Sequence, residues 1–274
     1  MTEKPKNYLT YSIRNQLFKF LEKRNYIVNN FSGETNLKNF FNSIKPVEIE
    51  EGLIRIGGQH DGGYLVPNLL DSIKYCFSPG VDVNANFELQ LASEYNIESF
   101  MLDLSVDKAP VDNNSFNFIQ KNLNTYNNDE NITFEKWYCD SVGDTAEDSI
   151  LQMDIEGYEY QVLFDIPHEI LSKFKILVVE FHDFGRQLFE PIGHNYVGGL
   201  FQKLLGHFSV VHIHANNCCP VTEMKGFEIP KVVEITFLNK KYINPTGNES
   251  PIPHPLDEKN VIEYPDIYFK KMWE

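Results

Sequence analysis

Nowhere in the 274 residues does an uninterrupted apolar run approach the roughly 18 residues that a membrane-spanning helix needs. The opening stretch, MTEKPKNYLTYSIRNQ, also lacks the apolar core of a secretory signal, so the expected setting is the cytoplasm, with no membrane as partner. Cysteine is scarce. Cys76, Cys139, Cys218 and Cys219 show no C-x-x-C spacing, and neighbours such as Cys218 and Cys219 rarely bridge to each other, so reduced thiols are expected. Basic residues are outnumbered, 24 Lys and Arg against 39 Asp and Glu, for a formal net charge of −15. That balance excludes broad contact with a phosphate backbone, and nucleic acid is not an expected partner, although a few local donors can still hold a small anionic ligand. There is no G-x-x-x-x-G-K-[ST] loop, no G-x-G-x-x-G after a strand and no H-E-x-x-H. Internal repeats and heptads are absent as well, and the Asn-rich stretch at 122–131 reads as a loop.

Composition, at 42% hydrophobic, suits one sizeable α/β core with an N-terminal extension. From Tyr8 to about Tyr26, Leu9, Ile13, Leu17, Phe18 and Leu21 recur at helical spacing, which predicts an amphipathic helix outside the core sheet. Packing on its own domain or on a second copy both suit such a helix, which leaves a homo-oligomer open. A second helix is expected over Leu37 to Ile44. Residues 1–50 are therefore taken as a helical extension and 51–274 as the main domain. From Leu53 onward short apolar runs alternate with helical patterns, the signature of a Rossmann-like parallel sheet with crossover helices. Strands are predicted at Ile73–Phe77, Ser99–Leu104, Phe134–Tyr138, Ile150–Asp154 and Ile176–Phe181. Helices are predicted at Phe87–Tyr95, Phe116–Tyr126, Tyr158–Phe164 and Val197–Leu205. Two final strands, Ser209–His214 and Val232–Leu238, are joined by a loop without a crossover helix and should pair antiparallel.

In open α/β sheets ligands bind beyond the carboxyl ends of the strands. After the first strand comes Ser78-Pro79-Gly80-Val81-Asp82, where a glycine permits a tight turn and close approach of a ligand to the backbone. The second strand ends at Asp103, suited to accept from a ribose diol, with Asp107 as the fallback. Cys139-Asp140-Ser141 follows the expected third strand and offers acceptors for an adenine amino group. In Ile150-Leu151-Gln152-Met153-Asp154-Ile155-Glu156-Gly157-Tyr158-Glu159 an apolar strand ends in carboxylates and a glycine; Glu156 and Glu159 can be read as helix caps, a reading that suits Asp154 less well. The neighbouring strand delivers Glu180 and His182 to the same sheet edge, on one face by alternation. Asp154, Glu180 and His182 can hold a divalent metal, or act as a general base and its orienter. His212-Ile213-His214-Ala215-Asn216-Asn217 ends the next strand, with donors and acceptors for a hydroxyl-rich molecule. Arg55 to Tyr64 is a glycine-rich turn that suits either closure over a cofactor or a plain hairpin. The run Pro251 to Asp257 suits either a loop over a substrate or an extended tail.

Together these segments resemble the FkbM-like family of S-adenosylmethionine-dependent methyltransferases, from about Leu53 to the C-terminus. The likeness rests on Asp61-Gly62-Gly63-Tyr64, Ser78-Pro79-Gly80-Val81 with Phe87-Glu88, Met153-Asp154-Ile155-Glu156-Gly157-Tyr158-Glu159, Glu180-Phe181-His182, His212 to Asn217, and Pro230-Lys231-Val232-Val233-Glu234. It implies a class I methyltransferase sheet, mostly parallel with an antiparallel C-terminal strand, and S-adenosylmethionine as cofactor, held by Gly80, Asp82, Asp103 and Asp140. It further implies O-methylation of a sugar, nucleotide-linked or a polysaccharide precursor. Asp154, Glu180 and His182 would then be the catalytic set, with or without Mg or Mn, and His214 and Asn216 would contact the sugar. Two alternatives stand beside it: a metal-dependent hydrolase using the same acids and histidine, and a non-catalytic carbohydrate-binding protein of the same fold.

Overall fold

The computed structural model describes residues 8–25, 29–143, 148–269 and 272–273. Two helices come first, α1 (Tyr8–Glu22) and α2 (Glu34–Ser43), then the short strand β1 (Val47–Ile49) and a hairpin of β2 (Leu53–Ile56) and β3 (Tyr64–Pro67). The alternating part runs β4 (Tyr75–Pro79), α3 (Asn86–Tyr95), β5 (Glu98–Leu102), β6 (Phe116–Ile119), β7 (Asn122–Leu123), β8 (Asn131–Ile132), α4 (Phe134–Val142), β9 (Ser149–Met153), α5 (Glu159–Asp165), α6 (His168–Leu171) and β10 (Phe174–Phe181). Helices α7 (Phe184–Phe189) and α8 (Pro191–His207) lead to the long strands β11 (Phe208–Met224) and β12 (Phe227–Asn239), and β13 (Pro245–Glu249) pairs back onto β1.

Seven strands form the central sheet in the order β11-β12-β10-β9-β4-β5-β6. β6, β5, β4, β9 and β10 are parallel, and β12 inserts antiparallel between β10 and β11. The strand order reverses outward from β4 and β9, so their carboxyl ends open a crevice there. The central strands are buried along their whole length, which is why β9 and β10 read as continuous apolar runs and not as alternation.

Two expected elements exchange type. Residues 116–126, expected as a helix, form β6 and β7, while Phe134–Tyr138, expected as a strand, opens α4. In α4 the side chain of Thr133 accepts a hydrogen bond from the amide of Lys136, and Phe134, Trp137 and Tyr138 lie buried at helical spacing on one face. β6 is an edge strand with alternately half-buried and exposed residues, too short for its Phe-Asn-Phe-Ile pattern to distinguish the two periods.

Helix α4 packs its aromatic face on β4, where the Phe77 ring meets those of Phe100, Trp137, Tyr138 and Phe174 at 5.1–5.7 Å between centroids. Truncating a fully buried ring such as Trp137 to alanine costs about 3–5 kcal/mol. Leu37, Phe40 and Phe41 of α2 join the same core against Phe184 and Phe201, and Trp273 Nε1 donates to the Phe41 carbonyl (2.9 Å). All four cysteines are free thiols.

Candidate active site

A cavity of about 710 Å³ opens at the carboxyl ends of β4, β5 and β9. Its floor depends on Gly80, whose φ is +84°: a Cβ there would lie 1.5 Å from the carbonyl oxygen of Asp154. Only glycine lets the turns after β4 and β9 come that close. Asp103, at the end of β5, ties this turn down. It accepts from the Asp82 amide (2.9 Å) and from the amide and hydroxyl of Ser105 (both 2.7 Å). Gly80, Asp82 and Asp103 all line the cavity, as do Asp61, Gly62 and Tyr64 of the glycine-rich turn, which folds as the β2–β3 hairpin. Deeper in, Ser78 Oγ bonds Glu88 and Gln152, and Gln152 Nε2 donates to Tyr64 Oη (3.3 Å). Burial pushes the Glu88 carboxyl above its ordinary range.

Asp140 is a correction. Because residues 134–142 are helix, it does not end a strand; it sits exposed on α4, paired with Lys136 (2.9 Å), and is not among the residues around the cavity. Asp107 accepts from Gln120 (3.1 Å) and is likewise no part of the wall. The far wall is built instead by the loop after β6, including Lys121, Asn122, Asn124, Tyr126 and Asn131. Asn124 and Asn131 are buried and bonded to each other (3.1 Å). The available signal is the Asn-rich stretch at 122–131, which reads as a loop in the sequence and takes no part in the expected site.

β9 and β10 run parallel, with Met153 beside Val179, so Asp154, Glu180 and His182 emerge together. One ligand atom from each lies within 4.8 Å of the others. His182 Nε2 is 3.9 Å from both Asp154 Oδ1 and Glu180 Oε1, and 3.4 Å from Glu156 Oε2. On its other side, His182 Nδ1 is 3.0 Å from Glu159 Oε1, a fully buried carboxylate that also accepts from the amides of Ile155 (3.2 Å) and Gly157 (2.9 Å). Since a carboxylate accepts, Nδ1 carries the hydrogen, and in the neutral ring the Nε2 lone pair faces Asp154 and Glu180. Glu159 therefore does more than the capping its position suggested. Nothing local in the sequence announces that second partner, 23 residues away.

Charge is compressed here. Burial, reinforced by the Glu156 and Glu159 carboxylates and opposed by His182, lifts the Asp154 pKa to about 7. Burial, with Asp154 and Glu234 next, pushes Glu180 well above the carboxylate range. For His182 burial works against the cation, but the Glu159 hydrogen bond and the fields of Glu159, Asp154 and Glu156 outweigh it and raise the pKa. Glu180 Oε1 accepts from Asn216 (3.0 Å), while the buried oxygens Asp154 Oδ1 and Glu180 Oε2 receive no hydrogen bond among the described residues.

The His212–Asn217 segment is occupied by the chain itself. Asp257 accepts from His212 (2.8 Å) and approaches His214 (3.6 Å), Asn260 bridges His214 (3.1 Å) and Glu234 (2.6 Å), and Asn217 bonds the backbone at Val261. His214 thus lies under the C-terminal segment and Asn216 behind Glu180; neither is among the residues of the large cavity. Burial disfavours the cation at His214, yet Asp257 and Glu234 raise its pKa to about 9, and the two histidines in turn hold Asp257 below the usual carboxylate range against the effect of burial. The proline-containing run is accordingly a strap pinned across β11 at His212, His214 and Asn217, not a free tail.

A mostly parallel sheet whose penultimate position is filled by a reversed strand, with a glycine turn, an acid after the second strand and an acidic fourth strand end around one crevice, is a doubly wound fold with its ligand edge at that crevice. Residues 78–207 match the family model of the methyltransferase FkbM domain. No curated protein matches the chain. Among solved structures it is similar to a SAM-dependent methyltransferase from Archaeoglobus fulgidus, at 14% identity over 62% of this chain and 88% of that one, with a TM-score of 0.35. It is also similar to a 16S rRNA (adenine(1408)-N(1))-methyltransferase from Catenulisporales acidiphilia, at 11% identity over 70% of this chain and 100% of that one, with a TM-score of 0.32. Similarity at that level defines neither donor, acceptor nor metal.

Proposed function

We propose that the chain transfers the methyl group of S-adenosylmethionine to a hydroxyl of a sugar, with Asp154, Glu180 and His182 around a divalent cation, Mg or Mn. The observation that carries this reading is Asp154, which lines the same cavity as Gly80, Asp82 and Asp103, while Glu180 and His182 stand beside it just outside the lining. Its volume, about 710 Å³, is within the range of small-molecule and cofactor sites, roughly 300–1,000 Å³. Gly80 admits the donor close to the backbone, and Asp103, already oriented by three hydrogen bonds, presents its remaining acceptor capacity to a ribose diol. When bound, the donor supplies a sulfonium methyl open to in-line displacement.

A mixed carboxylate and imidazole set is a hard-to-borderline donor group, and two buried carboxylate oxygens without a donor fit a cation better than they fit one another. When bound, that cation supplies a lowered pKa for the acceptor hydroxyl. Asp154 and Glu180 would anchor it, Glu159 would fix the His182 tautomer, and Asn216 would orient Glu180. Without a cation, the same geometry favours a second reading, in which His182 Nε2 takes the hydroxyl proton and Glu159 stabilises the imidazolium. In both, the S–CH3 bond breaks as the O–CH3 bond forms. The sugar acceptor rests on the family resemblance.

Thermal unfolding with and without S-adenosylhomocysteine tests the donor, since a ligand at a hundredfold excess over its Kd stabilises by about 2.7 kcal/mol. Methyl transfer from labelled donor to free, nucleotide-linked and polymeric sugars tests the acceptor, before and after chelation. No stabilisation by the nucleoside would overturn the reading; donor binding and transfer unchanged by chelation would select the His182 base over the cation.

A further inference from the structure

Outside the catalytic crevice, the most unusual surface is α1. Its apolar side chains are not packed away: Ile13 is 62%, Leu17 52% and Phe20 50% exposed. On a helical wheel Ile13, Leu17 and Phe20 share one arc, and Leu21 closes it toward the half-buried side. Arg14, Lys19, Lys23 and Arg24 surround that arc against a single acid, Glu22. The helix is therefore a basic, apolar surface on a chain whose net charge is −15.

A second surface has the opposite charge and the same apolar character. The C-terminal strap, residues 250–269, exposes Leu256, Ile262, Tyr264 and Tyr268 beside Glu258, Glu263 and Asp266, with Lys259 as its only Lys or Arg. The strap is held firmly in place by Asp257 on His212 and by Asn217 on Val261. Its end is fastened to α2, the helix that follows α1: the Phe41 ring meets Phe269 (6.4 Å) and Trp273 (5.6 Å).

We propose that α1 of one copy docks on the strap of a second copy, and reciprocally, to form a two-fold dimer. The two faces are opposite in sign and alike in apolar content, and because each copy carries both, a two-fold axis makes the contact twice and closes the assembly. A lipid surface suits the helix alone but leaves the strap's apolar residues uncovered, and an anionic bilayer would repel the acidic body. The strap also carries Asn260, which bonds Glu234 and reaches Asp61 at the cavity wall (3.3 Å), so the dimer would hold that segment against the site.

Sedimentation velocity on the full chain over a concentration series is the test. A concentration-dependent dimer is expected, weakened at least 100-fold by Phe20→Asp and at least 10-fold by Lys19→Glu with Lys23→Glu. The second loss should be restored when Glu258→Lys and Glu263→Lys are added in the same chain, and all variants, being changed at exposed positions, should keep the wild-type near-UV circular dichroism. A wild-type chain that stays monomeric, a dimer indifferent to these changes, or a charge swap that fails to restore a correctly folded variant would overturn the proposal. So would flotation of a monomeric chain with phosphatidylserine vesicles.

Discussion

Replacing Asp154 by asparagine should make the metal-free protein more stable at alkaline pH. The Asp154 carboxyl is displaced from the usual 3.8 to about 7, chiefly by burial. A folded-state pKa above the unfolded one means that the folded protein binds the proton more tightly, so the associated stability is complete below about pH 4 and is lost as pH rises through 7. At about 1.36 kcal/mol per unit, the loss is about 4 kcal/mol, or roughly 8–16 °C in Tm for a domain of this size. Glu180 and His182 are displaced in the same direction and add losses of the same sign. An asparagine side chain keeps the shape of the carboxyl and cannot ionise. In chelator, thermal unfolding from pH 4 to 8 should give a steep decline for the wild type and a shallower one for Asp154→Asn, with the curves close at pH 4. Millimolar Mn should raise the wild-type Tm most at pH 8 and leave the variant unmoved. Parallel pH profiles for the two proteins would refute the account of a charge-compressed site.

Glu159→Gln removes the carboxylate that holds His182 Nδ1 and should lower metal affinity and turnover by about 10–100-fold, which titration calorimetry and initial rates can separate. Asp103→Ala and Asp140→Ala discriminate the corrected cavity wall from the expected one. Loss of Asp103 should weaken S-adenosylhomocysteine binding at least about tenfold, near 1.4 kcal/mol, whereas loss of exposed Asp140 should change it less than about twofold. A reversal of that ranking would return Asp140 to the site.

What could be read directly was whatever depends on short stretches of chain. Fully buried strands such as Ile150–Met153 and Ile176–Phe181 announce themselves as apolar runs, and the residues that end them are necessarily at the ligand edge of the sheet. That is why Gly80, Asp103, Asp154, Glu180 and His182 were legible, and why the reversed final strand followed from a connection without a helix. The third strand was not: in Phe116–Ile119 four residues on an edge cannot separate a two-residue from a 3.6-residue period, and the aromatic face of α4 resembles a strand until its Thr133 cap is noticed.

By itself, then, the order of residues determined the layered α/β class and the chemistry available at the strand ends, because both follow from local periodicity and from where a chain must leave a sheet. Only the tertiary structure decided which of those groups meet. Parallel register set Asp154 beside Glu180 and His182, burial raised the proton affinities of the two carboxylates, Glu159 turned the imidazole, and Asp257 and Asn260 drew the C-terminal strap over the two histidines. Those are distances between segments remote in the chain, set by packing, and no local pattern encodes them.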